Sequence, residues 1–129
     1  GWPVQGLRVL LIGAGGAARG VLGPLLAQRP QQLVIINRTS ERARQLAKEF
    51  ATLGPLEGGG YELANNRQFD LVINASSAGL SGAPPELPGS LLTERSSCYD
   101  MVYGPEPTPF MRWSADHAAW ALADGLAML

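Results

Sequence analysis

Gly13, Gly15 and Ala18 stand at the spacing Gly-x-Gly-x-x-Ala, directly after the apolar run Val9-Leu10-Leu11-Ile12. This pattern suits phosphate binding. The first glycine allows a sharp turn, the second lets a pyrophosphate approach the backbone, and the small third residue lets a helix pack closely on the strand. A helix opened by such a turn aims free N–H groups and the positive end of its dipole at the phosphates. Gly13, Ala14, Gly15, Gly16 and Ala17 are therefore candidate cofactor-binding residues. A second candidate group is Asn37, Arg38, Thr39 and Arg42, which follow the apolar run Leu33-Val34-Ile35-Ile36. Folds that select NAD commonly carry Asp or Glu at this point to hold the ribose hydroxyls. An amide beside a guanidinium does not repel a 2′-phosphate. Two arginines at a helix start oppose its dipole, and an anion between them would offset that cost. The expected cofactor is NADP(H).

These residues need a scaffold that brings them to one edge. Ala17, Ala18, Val21, Leu22, Leu25 and Leu26 recur at helical spacing, predicting a helix from about Gly16 to Gln28 with Pro24 inside it and Arg29-Pro30 ending it. A second helix carries Ala43, Leu46, Ala47 and Phe50, with Thr39 or Ser40 as its N-cap and Gly54-Pro55 as its stop. Strands are predicted over Leu7–Ile12, Leu33–Ile36, Phe69–Asn74 and Cys98–Val102. Topology alone adds a short strand near Leu56, and Ala118–Leu122 reads as a sixth. Thr108-Pro109 reads as the start of a helix reaching about Ala115, and Asp124-Gly125 as the start of another. Gly1 to Gly6 reads as a linker, Ser81 to Pro88 as a surface loop, and Leu91-Leu92 as a helical turn. The alternation implies an α/β fold: one doubly wound, mostly parallel sheet of the Rossmann type, strand order 3-2-1-4-5-6, in a single domain over residues 1–129. Ligands then sit at the C-terminal strand ends, where the loops at Ala14, Asn37, Ala75 and Val102 converge.

Composition narrows the function classes. The 129 residues suffice for one domain, and the net charge of -1 gives no general attraction to nucleic acid or an anionic membrane. No apolar run approaches the ~20 residues that span a bilayer. No secretory signal is visible, and the chain lacks an initiating Met, as expected of a piece of a longer protein. The single cysteine, Cys98, fits a reducing cytoplasm and reads as a small buried residue. No Cys/His spacing suggests a metal. His117 reads as a surface residue, Asp100 as a structural polar group at a strand end, and Trp2, Trp113 and Trp120 as core or interface residues.

Six ordered segments resemble shikimate dehydrogenases: Gly13-Ala14-Gly15-Gly16-Ala17, Asn37-Arg38-Thr39, Asn74-Ala75-Ser76-Ser77-Ala78-Gly79-Leu80, Tyr99-Asp100-Met101-Val102-Tyr103, Thr108-Pro109-Phe110 and Asp124-Gly125-Leu126-Ala127-Met128-Leu129. The likeness runs from Leu7 onward and concerns the C-terminal, NADP-binding half of those enzymes. It implies reversible reduction of 3-dehydroshikimate to shikimate with NADPH, in aromatic amino-acid and chorismate biosynthesis. It further implies that Gly13 to Ala17 hold the pyrophosphate, and that Asn37, Arg38, Thr39 and Arg42 hold the ribose and its 2′-phosphate. Ser76 and Ser77 would line the cofactor path. Met101, Val102, Gly125 and Met128 would surround the nicotinamide, and Tyr103 would contact the substrate. The family's catalytic Lys and Asp belong to an N-terminal substrate domain absent from this chain, so no catalytic residue is expected here. Ala127 replaces a common glycine of the last segment. The alternatives are a quinate/shikimate dehydrogenase relative that uses NAD, the nucleotide domain of a glutamyl-tRNA reductase, and a non-enzymatic NADP-binding module. An acidic residue is usual at Arg38 in the first of these, and the Tyr99-to-Tyr103 and Thr108-Pro109-Phe110 segments disfavour the second.

Overall fold

The computed structural model describes residues 4–76 and 87–101, then 110, 112, 113 and the backbone of 121–124. In chain order the elements are β1 (Arg8–Ile12), α1 (Gly16–Ala27), β2 (Gln32–Ile36), α2 (Ser40–Phe50), β3 (Glu57–Gly59), β4 (Phe69–Asn74), β5 (Leu92–Asp100) and β6 (Ala121–Asp124). They form a six-stranded sheet of order β3-β2-β1-β4-β5-β6, as the alternation of elements predicts. Every pairing is parallel, with Leu10 opposite Val34 on one side and Val72 on the other.

Successive strand residues face opposite sides, so the apolar runs feed two cores. Val9, Leu11, Leu33 and Ile35 pack with Leu22 and Leu26 of α1 and Ala43 and Leu46 of α2. Leu10, Ile12, Val34 and Ile36 face the other side, with Phe69, Leu91, Cys98, Phe110 and Trp113. The rings of Phe110 and Trp113 stack at 5.9 Å between centroids, which makes Trp113 a core residue. Trp2, His117 and Trp120 lie outside the described residues. α1 continues through Pro24 and ends where Arg29 takes a positive φ of 56°.

Several boundaries differ from the sequence reading, each for a physical reason. β5 begins at Leu92 and stops at Asp100, where the sequence predicted Cys98 to Val102. Its first half is polar, and the pairing shifts register between Phe69 and Leu71. Ser96 fastens that irregularity: its buried Oγ donates to the Phe69 carbonyl at 2.6 Å and accepts from the Thr93 N–H at 2.8 Å. The short helical turn is at Gly89–Leu91. β6 runs over Ala121–Asp124, where the sequence predicted Ala118 to Leu122, and Asp124 pairs with Asp100 as its last residue; the helix expected from Asp124-Gly125 lies outside the described residues. The expected linker is partly fastened as well. Val4 is buried in the first core, and the Gly6 N–H donates to the Arg29 carbonyl at 3.0 Å.

Candidate functional site

The turn after β1 shows why its two glycines are not equivalent. Gly13 has φ 111°, and its N–H donates to the Ile36 carbonyl at 2.7 Å, which ties the ends of β1 and β2. A Cβ on Gly13 would lie 2.9 Å from the Ser76 nitrogen and 3.0 Å from the Ala75 carbonyl oxygen. The loop after β4 therefore passes directly against the turn. Gly15 is the N-cap of α1, with φ -92°, and a Cβ there would meet nothing within 4 Å. The fold requires the first glycine; the second faces open space. No side chain caps α1 and no acidic residue stands in its first turn, so its N-terminal N–H groups and dipole face that space uncompensated.

That space is a cavity of about 520 Å³ at the C-terminal strand ends. Gly13 to Ala17 form one side, Asn37, Arg38 and Arg42 another, with Ala75, Ser76 and Tyr61 completing it. β3 is what brings Tyr61 here: the Asn37 N–H donates to the Gly59 carbonyl at 3.1 Å, setting the two chain exits side by side. Thr39 is the N-cap of α2, although its side chain makes no capping bond. The Asn37 Nδ2 instead donates to the Thr39 carbonyl at 3.1 Å, and the Arg42 N–H donates to the same oxygen. A second cavity, about 400 Å³ between Val4, Gln5, Ala27, Gln28 and Arg29, lies at the opposite ends of the strands.

Charge pairing separates the arginines. Arg8 pairs with Asp70, Arg44 with Glu41, Arg67 with Glu57, and Arg19 with Glu49. Glu41, the one carboxylate in the first turn of α2, is thus engaged by Arg44 at 2.7 Å. Arg38 and Arg42 are both exposed, and neither forms an ion pair among the described residues. The rim of the cavity therefore carries two guanidiniums and a neutral amide. Such a rim is built for an anion with several oxygens.

The floor is held by a buried polar latch. Asn74 Oδ1 accepts from the Ser76 N–H at 3.2 Å and from the Ser76 hydroxyl at 2.9 Å. Asn74 Nδ2 donates to Asp100 Oδ1 at 3.3 Å. Asp100 is 1% exposed. The Met101 N–H closes the arrangement on the Asn74 carbonyl at 2.9 Å. Asp100 thus has the structural place its strand-end position suggests. Met101 is half-buried against the first core. Ser77, Val102, Tyr103, Gly125 and Met128 lie outside the described residues. Among the described residues, no group of His, Cys, Asp and Glu could hold a metal, and no helix is long and apolar enough to cross a membrane.

The sequence reading missed Tyr61 and the role of Asn74. A signal for Tyr61 did exist: it is the first side chain after Gly58-Gly59-Gly60, at the end of a strand beside Asn37. Asn74 is polar at the last position of an otherwise apolar buried strand, which demands a partner.

Fold and site together define a doubly wound α/β domain with a glycine-loop site of the dinucleotide-binding kind. The chain belongs to the shikimate / quinate 5-dehydrogenase family, whose profile matches residues 3–80. It is 53% identical over 128 residues to a shikimate dehydrogenase (NADP(+)) of Cellvibrio japonicus, covering 99% of this chain and 46% of that protein. Among solved structures it resembles an Ael1 enzyme from Pseudomonas putida, with TM-score 0.86 and 40% identity over 98% of this chain and 46% of that one. It also resembles shikimate 5-dehydrogenase from Thermus thermophilus in complex with NADP(H) and shikimate, with TM-score 0.77 and 32% identity over 98% of this chain and 45% of that one. The chain spans about half the length of these relatives.

Proposed function

We propose that this chain is the NADP(H)-binding half of a shikimate dehydrogenase, an oxidoreductase that reversibly reduces 3-dehydroshikimate to shikimate. The carrying observation is the pair Arg38 and Arg42, without carboxylate partners among the described residues, beside neutral Asn37 on the rim of the glycine-loop cavity. NADPH, when bound, supplies the hydride. The chain's own residues bind and orient. The open face at Gly15 and the uncapped start of α1 receive the pyrophosphate by backbone N–H donation. Arg38 and Arg42 take the 2′-phosphate, with Asn37 and Thr39 at the ribose. Ser76, fixed by Asn74, and Ser77 line the path toward the nicotinamide, which Met101, Val102, Gly125 and Met128 surround. Tyr103 reaches the substrate.

On this reading the catalytic Lys and Asp stand in a separate N-terminal substrate domain, this chain's partner across the active-site cleft. The names of the Cellvibrio japonicus relative and the Thermus thermophilus complex support the cofactor and substrate. The small-molecule pathway and the single buried thiol of Cys98 support a cytoplasmic setting. Calorimetric titration of NADP+ and NAD+ into the chain tests the reading. NADP+ is expected to bind more tightly. Failure of both to bind refutes it.

A further inference from the structure

Tyr61 lines the cavity at the rim that holds Asn37, Arg38 and Arg42, and among the described lining residues it is the one aromatic. Its place is set by the backbone. β3 pairs with β2 up to Ile36 opposite Gly59, and the 3-10 turn Tyr61–Ala64 follows after Gly60. Three glycines precede it, and at Gly58 the backbone itself excludes a side chain, since a Cβ there would meet the Ala43 carbonyl oxygen at 2.2 Å; at Gly59 and Gly60 a Cβ would meet the movable side chains of Leu63 and Glu62. Tyr61 is thus the first side chain after the glycines that end β3, and it lines the cavity. It is half-buried and packs against the second core, so its ring is held and little side-chain entropy remains to be lost on binding.

We propose that Tyr61 is a binding residue for the adenine base, its ring forming an apolar wall beside the arginine rim. The inference rests on the dinucleotide reading above and deepens it. A flat ring at this rim matches a purine, since every base offers a π-face to an aromatic side chain. Arginines read the phosphate; the ring reads the base that NADP and NAD share. Loss of the ring therefore weakens both dinucleotides alike.

The test titrates NADP+, NAD+ and nicotinamide mononucleotide into wild type, Tyr61→Ala, Tyr61→Leu and Tyr61→Phe, with circular dichroism to establish folding. Tyr61→Ala is expected to raise both dinucleotide dissociation constants about 5- to 100-fold by the same factor. Tyr61→Phe keeps both within about twofold, since the ring remains. Nicotinamide mononucleotide, which has no adenine, is unchanged in every variant. Should Tyr61→Ala not fold, Tyr61→Leu decides, because it keeps apolar packing without a flat ring. Unchanged dinucleotide affinity in a folded Ala or Leu variant overturns the proposal while leaving the dinucleotide reading intact. A loss confined to NADP+ in Tyr61→Phe also overturns it, making the hydroxyl a phosphate donor instead. A wild type that binds neither dinucleotide overturns both.

Discussion

Gly13 and Gly15 are two residues apart in one loop, yet substitution at each fails for a different reason. At Gly13 a methyl group meets two costs. The φ of 111° lies where residues other than glycine are strained by about 1–3 kcal/mol. The Cβ would also sit 2.9 Å from the Ser76 nitrogen and 3.0 Å from the Ala75 carbonyl oxygen. Those atoms are backbone and cannot swing aside, because the Ala75 N–H is bound to Ile12 and the Ser76 N–H to Asn74. Overpacking of this kind adds about 1–3 kcal/mol. Gly13→Ala should thus cost about 2–6 kcal/mol, a large part of the ~5–15 kcal/mol typical of a domain, and lower Tm by roughly 8–25 °C. At Gly15 the φ of -92° is ordinary and the Cβ direction is open. Gly15→Val should keep Tm within a few degrees of wild type, but its branched side chain occupies the space assigned to the pyrophosphate. The expected loss of NADP+ affinity is about 5- to 150-fold, from about 1–3 kcal/mol of steric conflict. Thermal melts by circular dichroism and calorimetric titration read the two effects separately. A folded Gly15→Val variant with wild-type affinity would show that this loop does not hold phosphate. An unchanged Tm in Gly13→Ala would refute the packing argument.

Three further outcomes follow from the same structure. The Arg8 guanidinium, aided by the Arg8 N–H, holds the Asp70 carboxyl below its ordinary range against partial burial. The bridge's stabilisation is therefore complete above the ordinary carboxylate pKa and disappears as pH falls through the lowered one. Asp70→Asn should be less stable at neutral pH by about 0.5–1 kcal/mol in urea unfolding, a modest figure because the pair is partly exposed, and the gap should close in strong acid. Gly58→Ala should destabilise the domain by at least ~2 kcal/mol in urea unfolding, since its Cβ would fall 2.2 Å from the Ala43 carbonyl oxygen of α2, backbone against backbone. The chain alone should show no NADP-dependent shikimate oxidation, because hydride transfer needs both reactants held in register across a cleft. Turnover above background, in a preparation free of host enzyme, would refute the assignment of catalytic groups to another domain.

What the sequence made legible was whatever rests on local pattern. β4 is found over Phe69–Asn74, the predicted span, because Leu71-Val72-Ile73 are buried on both faces and read as a continuous apolar stretch despite Asp70 before them. The sheet order came from alternation and handedness, rules that do not depend on side-chain detail. The early part of β5 was hidden because Thr93 to Ser96 are polar, and Ser96 holds them in place through a long-range bond to Phe69 and a local one to Thr93. β3 was visible only through topology, since its Glu57-Gly58-Gly59 has no β-propensity and exists to let α2 approach. At the site, the glycine loop and arginine rim were readable as residue types. That Glu41 pairs with Arg44, leaving Arg42 without a carboxylate among the described residues, required the helix geometry. Tyr61 and the Asn74–Asp100 latch reach the site through strand register, which one sequence does not display.

The most direct test of the NADP assignment is the ratio of NADP+ to NAD+ dissociation constants for wild type, Arg38→Ala and Arg42→Ala, each at low and high salt. A hydrogen bond to a charged group contributes about 1.5–3 kcal/mol, so Arg38→Ala should weaken NADP+ binding roughly 10- to 100-fold and leave NAD+ nearly unchanged. Arg42→Ala should act in the same direction but less. High salt should narrow the wild-type preference, because both arginines are exposed and ions screen them. If Arg38→Ala instead lowers both affinities equally, the arginine does not read the 2′-phosphate, and the case for NADP loses its physical basis.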